Sequence, residues 1–484
     1  MNKRVIFYVL SLICLGICLA MLSTAAVALL YQESLWEWLG VIAVSFGVSL
    51  VCKYFSVGSM PSDVTIREGI GGVFFSWILA CCLCSLPFMA YGILEPIPAF
   101  FESMSGLTTT GATVIDDIEA LPRGLILWRS VLHWIGGIGI IVIFVALLPQ
   151  IAGGAMHLFN AETSGFSNSR IMPRIRTTAM TTFGIYFGFT SILVILLMCC
   201  GMSLFDAVNH SFSTIATGGF SSYNDSVAHF NSPLIEYILG IFMIISGGNF
   251  SLYYQVHQFG WQQLYRDMEF RTYIIFTIVA TILITANICY VNGYSILEGF
   301  RYAFFQTTSF VSTTGFVSYD YDQWPSFSKL LLAVMYLTGG CAGSTAGGIK
   351  FGRFVVLIKA VGAEIERAMH PNALLTVTYE KKVVSTTTII NISRFFFMYV
   401  VLIVALAFIL SWSGIPVEES IFGIASCISS VGPAFGSIGA VHNFSSINNV
   451  GLMVMSVAML LGRLELFTAL VLIRSEYWRS SKRW

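Results

Sequence analysis

Charge is the scarcest feature of this 484-residue sequence. Only 10% of its residues are Asp, Glu, Lys or Arg, whereas 56% are hydrophobic, and the mean hydropathy is +0.80. A soluble domain carries about 25% charged residues, so the chain lacks the polar surface that soluble domains of this total length would need. The composition excludes a soluble enzyme, a disordered chain and collagen, and it predicts a protein that crosses a membrane several times.

The sequence also lacks an excess of basic residues and a set of cysteines that would complete a metal site. The 25 basic residues balance the 25 acidic ones, so nothing in the overall charge favours binding to nucleic acid. The 11 cysteines lie in apolar runs or at their ends, and the C-x-x-C pair of Cys81 and Cys84 has no second pair or nearby histidine to complete a metal site. We interpret the cysteines as small apolar packing residues.

Long runs without charged residues predict the membrane spans, because about 20 helical residues cross an apolar core of about 30 Å. The runs are 5–32, 69–94, 130–161, 177–205, 237–265, 272–297, 395–417 and 420–462, with two shorter candidates at 36–52 and 326–349. The last run is too long for one helix and contains Pro433. It predicts a half-helix, a loop and a full span starting near Ser446.

Basic residues set the expected orientation. The first apolar run follows Lys3 and Arg4 and is longer than the 7–15 residues of a usual signal-peptide core, so a retained span is favoured over cleavage. With cytoplasmic N- and C-termini, most Lys and Arg residues fall in inner segments. Most acidic residues, among them Glu102, Asp116 and Asp117, then fall outside and predict an acidic vestibule that concentrates cations.

One unit recurs four times between the spans. A half-length amphipathic stretch, a Thr/Ser/Gly cluster and another span follow each other in every copy, and the clusters lie at 108–113, 215–220, 312–316 and 429–435. Their shared glycines, taken as Gly111, Gly218, Gly315 and Gly432, are 107, 97 and 117 residues apart. The predicted fold is all-α, with two leading transmembrane helices and four helix–pore loop–helix repeats around a central cation pathway.

The clusters have the chemistry of a selectivity filter. Non-helical backbone survives at membrane depth only where it lines a water-filled path, and rings of carbonyl oxygens can replace the hydration shell of a cation. The predicted units are residues 1–68, which hold the leading helices, and repeats at 69–176, 177–271, 272–382 and 383–484.

A glycine-rich loop at 339–350 interrupts the span after the third cluster. Residues 343–348 match G-x-x-x-x-G, but Ile349 stands where a nucleotide-binding P-loop would continue with lysine. We therefore expect no nucleotide site in this chain, and we predict an unwound, mobile segment. Arg463 lies near mid-membrane, where a charge is costly and usually functional; pairing with a neighbouring helix is the alternative interpretation.

Several motifs resemble the Trk/Ktr/HKT superfamily of potassium transporters, and most of all its TrkH branch. They are the run HWIGGIGIIV at 133–142, the run GGCAGSTAGGIK at 339–350 and the run GRLE at 462–465. The pair of spans before the first repeat also fits that branch. Ala434 follows Pro433 where the family usually has glycine, which leaves the backbone of the fourth filter in question.

The resemblance implies potassium uptake across a bacterial cytoplasmic (inner) membrane, a homodimer, and a cytosolic TrkA-like nucleotide-binding ring as regulatory partner. It makes the 339–350 loop a gate beneath the filter. The expected potassium-binding filter residues are Thr109, Thr110, Gly111, Ala112, Ala216, Thr217, Gly218, Gly219, Thr313, Thr314, Gly315, Phe316, Ser430, Val431, Gly432 and Pro433. The expected gating residues are Gly339, Gly340, Gly343, Gly347, Gly348, Lys350 and Arg463.

Two other functions stay open at this point. A sodium or mixed-cation transporter would share the fold, although the plant branch of the family has serine at the first filter glycine in its sodium-selective members, so Gly111 favours potassium. An intramembrane enzyme would need a nucleophile and a base, and no such pair is evident among the scattered histidines. Channel-like flux and proton- or sodium-coupled transport are both compatible with the sequence.

Overall fold

The computed structural model describes residues 3–56, 66–139, 175–373, 375–380, 382–464, 466–472 and 474–478. Two long helices come first, α1 (Lys3–Leu30) and α2 (Trp36–Phe55). They pack against each other, and α1 also packs against α3 and α5 of the first repeat. Trp38 of α2 is fully buried beside Trp128, with ring centroids 5.9 Å apart. The leading pair is therefore an integral part of the helical core.

The first two repeats are built from long helices that alternate with short ones. Repeat 1 contains α3 (Ile66–Ala90), α4 (Pro96–Leu107) and α5 (Arg123–Ile138). Repeat 2 contains α6 (Ile175–Cys199), α7 (Leu204–Ile215), α8 (Pro233–Gly247) and α9 (Phe250–Phe259), followed by the short α10 (Gln262–Arg266). The short helices α4 and α7 are too short to cross a membrane.

The last two repeats follow the same order. Repeat 3 contains α11 (Met268–Asn292), α12 (Ile296–Val311), α13 (Ser326–Met335), strands β1 (Thr338–Gly339) and β2 (Ile349–Lys350), and α14 (Phe351–Met369). An antiparallel pair, β3 (Thr378–Tyr379) and β4 (Lys382–Val383), leads to repeat 4. Repeat 4 contains α15 (Thr386–Trp412), α16 (Val417–Ser429), α17 (Asn449–Arg463), α18 (Leu466–Val471) and α19 (Ser475–Trp478).

Six helices in the described part of the chain are long and apolar enough to cross a membrane, and a seventh span is possible if the α8–α9 pair is counted. The predicted all-α fold with two leading helices and four pore-loop repeats is confirmed. The half-helix and loop expected within 420–462 are also found, but the helix that follows, which begins at Asn449, has 15 residues and is shorter than the predicted full span. The exact unit boundaries stay predictions, and the predicted span 130–161 runs beyond Gly139 into residues outside the described ones.

Two predicted spans are interrupted. The expectation of one continuous span over 237–265 is wrong, because α8 and α9 meet at a bend of 91° after Gly247 and Gly248. The expected break within 326–349 is found: α13 ends at Met335, and β1 pairs with β2 in parallel on either side of a loop. Both interruptions lie close together, since the Cys341 amide donates to the Gly247 carbonyl at 2.7 Å.

Candidate cation pathway

Four short helices, α4, α7, α12 and α16, end in the same unusual backbone. A residue with left-handed angles comes just after each helix: Thr109 (φ 56°), Thr217 (φ 55°), Thr313 (φ 56°) and Ser430 (φ 58°). Two residues later a glycine has positive φ in each copy: Gly111 (82°), Gly219 (83°), Gly315 (80°) and Gly432 (97°). Left-handed angles are costly for residues with a Cβ, so their recurrence at four matched positions marks one shared loop structure.

The backbone corrects the predicted register of the second cluster. Gly219, and not Gly218, is the counterpart of Gly111, Gly315 and Gly432. The pairing of Gly218 with these three glycines is therefore wrong by one residue. Ala216 consequently lies one position before the matched four-residue segment, and Phe220 takes the position that Ala112 has in loop 1.

The four loops close into a ring, which the ring glycines reveal by what surrounds them. A Cβ added to Gly111 would overlap the carbonyl oxygen of Gly218, and one on Gly219 would overlap that of Thr314. A Cβ on Gly315 would overlap the Val431 oxygen, and the cycle ends where Gly432 approaches the Thr110 oxygen, 2.4 Å or less from the added atom in each case. Each ring glycine thus packs against the carbonyl that precedes the next ring glycine.

This arrangement brings together one carbonyl from each repeat. We call the carbonyl groups of residues 110, 218, 314 and 431 the carbonyl ring. Two side-chain hydroxyl oxygens beside it, Thr109 Oγ1 and Ser430 Oγ, are buried and have no hydrogen-bond partner among the described residues. Oxygen atoms of this kind are ligands for hard monovalent and divalent cations.

Each loop is held from behind by different side chains. In loop 3 the Ser309 hydroxyl donates to the Phe316 carbonyl at 2.8 Å, and in loop 4 the Ser426 hydroxyl donates to the Gly432 carbonyl at 2.8 Å. In loop 4 the Tyr336 hydroxyl also donates to the Pro433 carbonyl at 2.8 Å. Ala434 is held in loop 4 by a hydrogen bond from its amide to the Ile438 carbonyl at 2.8 Å.

Loops 1 and 2 are held by residues that the sequence analysis did not assign to the site. Glu102 and Arg129 are 0% and 1% exposed and form an ion pair of 2.9 Å, so the expectation that Glu102 belongs to an open acidic vestibule is wrong. The His133 Nδ1–H group donates to the Gly106 carbonyl at 2.8 Å, and its Nε2 accepts from the Phe220 amide at 3.2 Å. The sequence did offer a signal for this ion pair, because the acidic Glu102 precedes the first filter cluster and the basic Arg129 follows it.

The glycine loop between β1 and β2 lies directly against three filter loops. The Thr345 hydroxyl donates to the Ile215 carbonyl at 3.1 Å and accepts from the Thr217 hydroxyl at 3.3 Å. The Gly347 amide donates to the Thr313 hydroxyl at 2.8 Å, and a Cβ on Gly347 would overlap the Ser429 carbonyl oxygen. The loop therefore touches the filter loops of repeats 2, 3 and 4.

One carboxylate holds the glycine loop to the start of α14. Glu269 Oε1, on a residue that is 7% exposed, accepts from the Ala342 amide at 2.9 Å and from the Gly352 amide at 2.8 Å. Lys350 is also buried, and its ammonium group donates to the Ala346 carbonyl inside the loop. The predicted gating residues Gly339, Gly340, Gly343, Gly347, Gly348 and Lys350 thus lie in one compact segment.

Arg463 joins the glycine loop to repeat 1. Its Nη1 donates to the Thr345 carbonyl at 3.3 Å, and its Nη2 donates to the carbonyls of Gly136 and Gly137 near the end of α5, the latter at 3.2 Å. The guanidinium group therefore bridges α5 and the glycine loop. These contacts match the alternative interpretation, a structural link to a neighbouring helix, and the gating role of Arg463 stays a prediction.

Acidic groups do lie in the segments that follow the loops. Hydrogen bonds from Ser445 and Asn443 lower the pKa of Asp116, and one from Asn224 lowers the pKa of Asp117. Burial, followed by the nearby charge of Asp320, raises the pKa of Asp322. No group of three or more His, Cys, Asp or Glu side chains that could hold a metal ion occurs in the part of the chain that the structure describes.

The fold and these loops define a multi-pass membrane protein in which four non-helical loops, all supplied by one chain, contact one another in a closed ring. The family model for TrkH, described as cation transport protein, matches residues 60–480. The potassium uptake protein TrkH of Halomonas elongata is 33% identical over 99% of this chain and 100% of its own length. The potassium uptake protein TrkG of Escherichia coli K12 is 34% identical over 96% of both chains.

A solved structure agrees with these sequence matches. The crystal structure of the potassium transporter TrkH from Vibrio parahaemolyticus superposes with a TM-score of 0.90 at 32% identity and covers 99% of this chain and 100% of that one. The chain belongs to the TrkH family of cation transport proteins.

Proposed function

We propose that this protein takes up potassium ions through the carbonyl ring. The closed contact of four non-helical loops, each glycine against the next loop's carbonyl, is the observation that carries the proposal. A potassium ion would shed its water there and be coordinated by backbone oxygens and by hydroxyls such as those of Thr109 and Ser430. The names of the relatives, which are potassium uptake proteins and a potassium transporter, support the choice of ion.

The four pore helices favour a cation at this point electrostatically. The helices α4, α7, α12 and α16 end at Leu107, Ile215, Val311 and Ser429, immediately before the loops. A helix carries about half a negative elementary charge at its C-terminal end. Four such ends directed at one ring attract a cation without a fixed carboxylate, which would bind the ion too tightly for rapid passage.

The glycine loop is proposed as the gate, and Arg463 is proposed to hold it in the closed position. The loop contacts three filter loops, and Arg463 ties its Thr345 carbonyl to α5. Movement of the loop requires these hydrogen bonds to break, and a segment rich in glycine lowers the cost of such a local opening. The positive charges of Arg463 and Lys350 beneath the filter would also slow cations while the loop is in place.

The proposed assembly is a homodimer in a bacterial inner membrane, with both termini cytoplasmic and a TrkA-like ring bound to the inner surface. The nucleotide site belongs to that ring in this proposal. Lys359 on α14 connects the β3–β4 pair to the gate region. Its ammonium group donates to the Thr378 carbonyl of β3 at 2.8 Å. Such a hairpin is a suitable place for a partner to act on α14 and on the loop that precedes it.

Rubidium uptake into proteoliposomes tests the function. Purified protein should accumulate radioactive rubidium in competition with potassium, and sodium should compete weakly. Uptake that persists after collapse of any proton or sodium gradient identifies channel-like flux, and dependence on a gradient identifies coupled transport. Equal competition by sodium and potassium would favour the mixed-cation alternative, and folded protein that carries neither ion would overturn the proposal.

A further inference from the structure

The most completely buried charges outside the gate are Glu102 and Arg129. Glu102 lies on α4 and Arg129 on α5, and the Arg129 Nε donates to Glu102 Oε1 at 2.9 Å. The side chains of Glu102 and Arg129 are 0% and 1% exposed, so both charges lie away from solvent and lipid. Replacing a buried ion pair by apolar residues is often neutral for stability, so its geometry needs another explanation.

The carboxylate of Glu102 binds the extended segment that follows filter loop 1. The Thr113 hydroxyl donates to its Oε1 at 3.0 Å, and the Val114 amide donates to its Oε2 at 3.0 Å. Thr113 lies two residues after the ring glycine Gly111. The carboxylate therefore ties that segment to α4, the helix that carries Glu102.

The guanidinium of Arg129 binds the equivalent segment after loop 2. Its Nη1 donates to the Ser221 carbonyl at 3.1 Å, and its Cζ lies 4.1 Å from the centroid of the Phe220 ring. Ser221 lies two residues after the ring glycine Gly219, as Thr113 does after Gly111. The ion pair thus connects matched positions after two adjacent filter loops.

The equivalent position in the other repeats shows how unusual this link is. The residue nine positions before the ring glycine is Glu102, His210, Gln306 and Gly423 in repeats 1 to 4. His210 bonds to the Ser221 hydroxyl of its own loop at 3.0 Å, and Gln306 donates to the Phe316 carbonyl of its own loop at 3.3 Å. Of these residues only Glu102 takes part in an ion pair that reaches the next loop.

We propose that Glu102 and Arg129 are positioning residues that set the spacing between filter loops 1 and 2 and thereby the discrimination between potassium and sodium. The proposal rests on the potassium pathway proposed above. Selectivity depends on the size of the cavity and on the field of its carbonyl groups, and the Gly111–Gly218 contact of the carbonyl ring lies at the junction that the ion pair spans. A looser junction should let the carbonyl groups close in around the smaller sodium ion and so weaken the preference for potassium.

The test compares Glu102→Gln with Arg129→Gln in the full-length protein. Rubidium uptake into proteoliposomes is measured in competition with potassium and with sodium. If the pair positions the loops, both variants lower the potassium-to-sodium preference in the same direction, by about tenfold, which corresponds to about 1.4 kcal/mol. If the charges act only through their field, the variants shift the apparent affinity for both ions in opposite directions and leave the preference unchanged, which would overturn the proposal.

A second variant guards against loss of folding. Thr113→Val keeps the side-chain shape and removes the hydroxyl that donates to Glu102 without changing any charge, and it should lower the preference by a smaller factor. The control is Glu236→Gln, which breaks a second ion pair: Arg301 donates from Nε to Glu236 at 2.8 Å between α8 and α12. The control should keep the wild-type preference.

The outcomes separate this inference from the proposed function. Wild-type protein without a preference for potassium would contradict the pathway itself. A selective wild type with selective Glu102→Gln, Arg129→Gln and Thr113→Val variants would overturn the positioning role alone. A loss of preference in Glu236→Gln equal to that in Glu102→Gln would mean that any ion-pair loss disturbs the filter, and it would also overturn the specific role of Glu102 and Arg129.

Discussion

The ring glycines occupy positions where a side chain would strike a backbone atom of the next repeat. Positive φ alone makes glycine preferable, yet eight residues other than glycine also adopt positive φ in the described chain, including Thr109 and Thr313. What distinguishes the four ring glycines is the neighbouring carbonyl oxygen against which each Cα packs. At this scale the filter is defined by close backbone contact.

Gly111→Ser tests that contact. An L-residue at this φ costs about 1–2 kcal/mol, and displacement of the Gly218 carbonyl should add about 1–3 kcal/mol of strain. We expect a lower preference for potassium over sodium, measured as the permeability ratio in proteoliposomes. Gly92→Ser is the matched control, because Gly92 also has positive φ (67°) but nothing lies within 4 Å of its added Cβ. An unchanged ratio in folded Gly111→Ser protein would mean that Gly111 does not shape the pathway.

Arg463→Gln tests the fastening of the gate. The neutral side chain removes a positive charge beneath the filter and weakens the donors to Thr345 and Gly137, so we expect cation flux per folded transporter to rise several-fold. Arg463→Lys keeps the charge but cannot reach carbonyls on two elements with a planar fork, so its flux should rise less. The exposed Arg394→Gln is the control, and a fall in flux for Arg463→Gln would contradict the gating role.

The register of loop 2 shows which details at this scale the sequence could not supply. Thr217-Gly218-Gly219 offers two glycines, and the spacing pattern cannot choose between them. The choice depends on tertiary packing, because a Cβ on Gly218 would overlap the ring of His133, which comes from repeat 1. The ion pair of Glu102 and Arg129 was missed for the same reason, since partners on different helices leave no fixed spacing in the sequence.

At the scale of single elements, one carboxylate holds the loop that is proposed as the gate. Glu269 lies in the first turn of α11, yet it accepts from the amide of Ala342 within the loop and from the amide of Gly352 in the first turn of α14. A carboxylate forms stronger hydrogen bonds than a neutral amide does. The closed state of the loop should therefore depend on the charge of this one side chain.

Glu269→Gln should raise basal cation flux. The amide oxygen keeps the acceptor shape but binds the two amides more weakly, so the loop should open more often, by a factor of about ten if about 1.4 kcal/mol is lost. Flux in the absence of a cytosolic partner is the measurement. Glu366→Gln, at an exposed position of α14, should leave flux unchanged. Unaltered basal flux in folded Glu269→Gln protein would exclude it as a clamp of the gate.

The sequence predicted one of the two broken helices. Five glycines within residues 339–348 predicted the unwound segment after α13, because glycine is poorly suited to a helix interior. The bend after α8 was not expected, although Gly247-Gly248-Asn249 lies at it. A Cβ on Gly340 would overlap the Gly247 carbonyl oxygen, so the bend and the glycine loop are in close contact, a tertiary feature that leaves no spacing pattern in the sequence.

At the scale of the whole molecule, the long repeat period and the scarcity of charged residues were sufficient to predict the architecture. Four clusters about 100 residues apart, each before a span, implied the closed ring that the loops form. The order of contacts around the ring follows the chain order, from repeat 1 to repeat 4 and back to repeat 1. The leading helices α1 and α2 were predicted as spans, but their packing on α3 and α5 required the structure.

Potassium should stabilise the whole fold. The carbonyl ring collects negative partial charges that repel one another, and a bound cation offsets this repulsion in the folded state alone. At a potassium concentration about 100 times the Kd, the gain is about 2.7 kcal/mol. The melting temperature in potassium chloride should therefore exceed that in choline chloride at equal ionic strength. Gly111→Ser should reduce the difference, and equal melting temperatures for the wild type would argue against an ion in the ring.

The ring of contacts between unlike loops has a consequence for how such a protein changes over generations. In a pore made from four identical subunits, every substitution appears four times and shifts the aperture symmetrically. Here Gly111 meets the Gly218 carbonyl, Gly219 meets that of Thr314 and Gly315 meets that of Val431, so each contact is encoded by a different pair of residues. A single codon change alters one quarter of the aperture, so ion preference can drift in small increments that a symmetric pore cannot make.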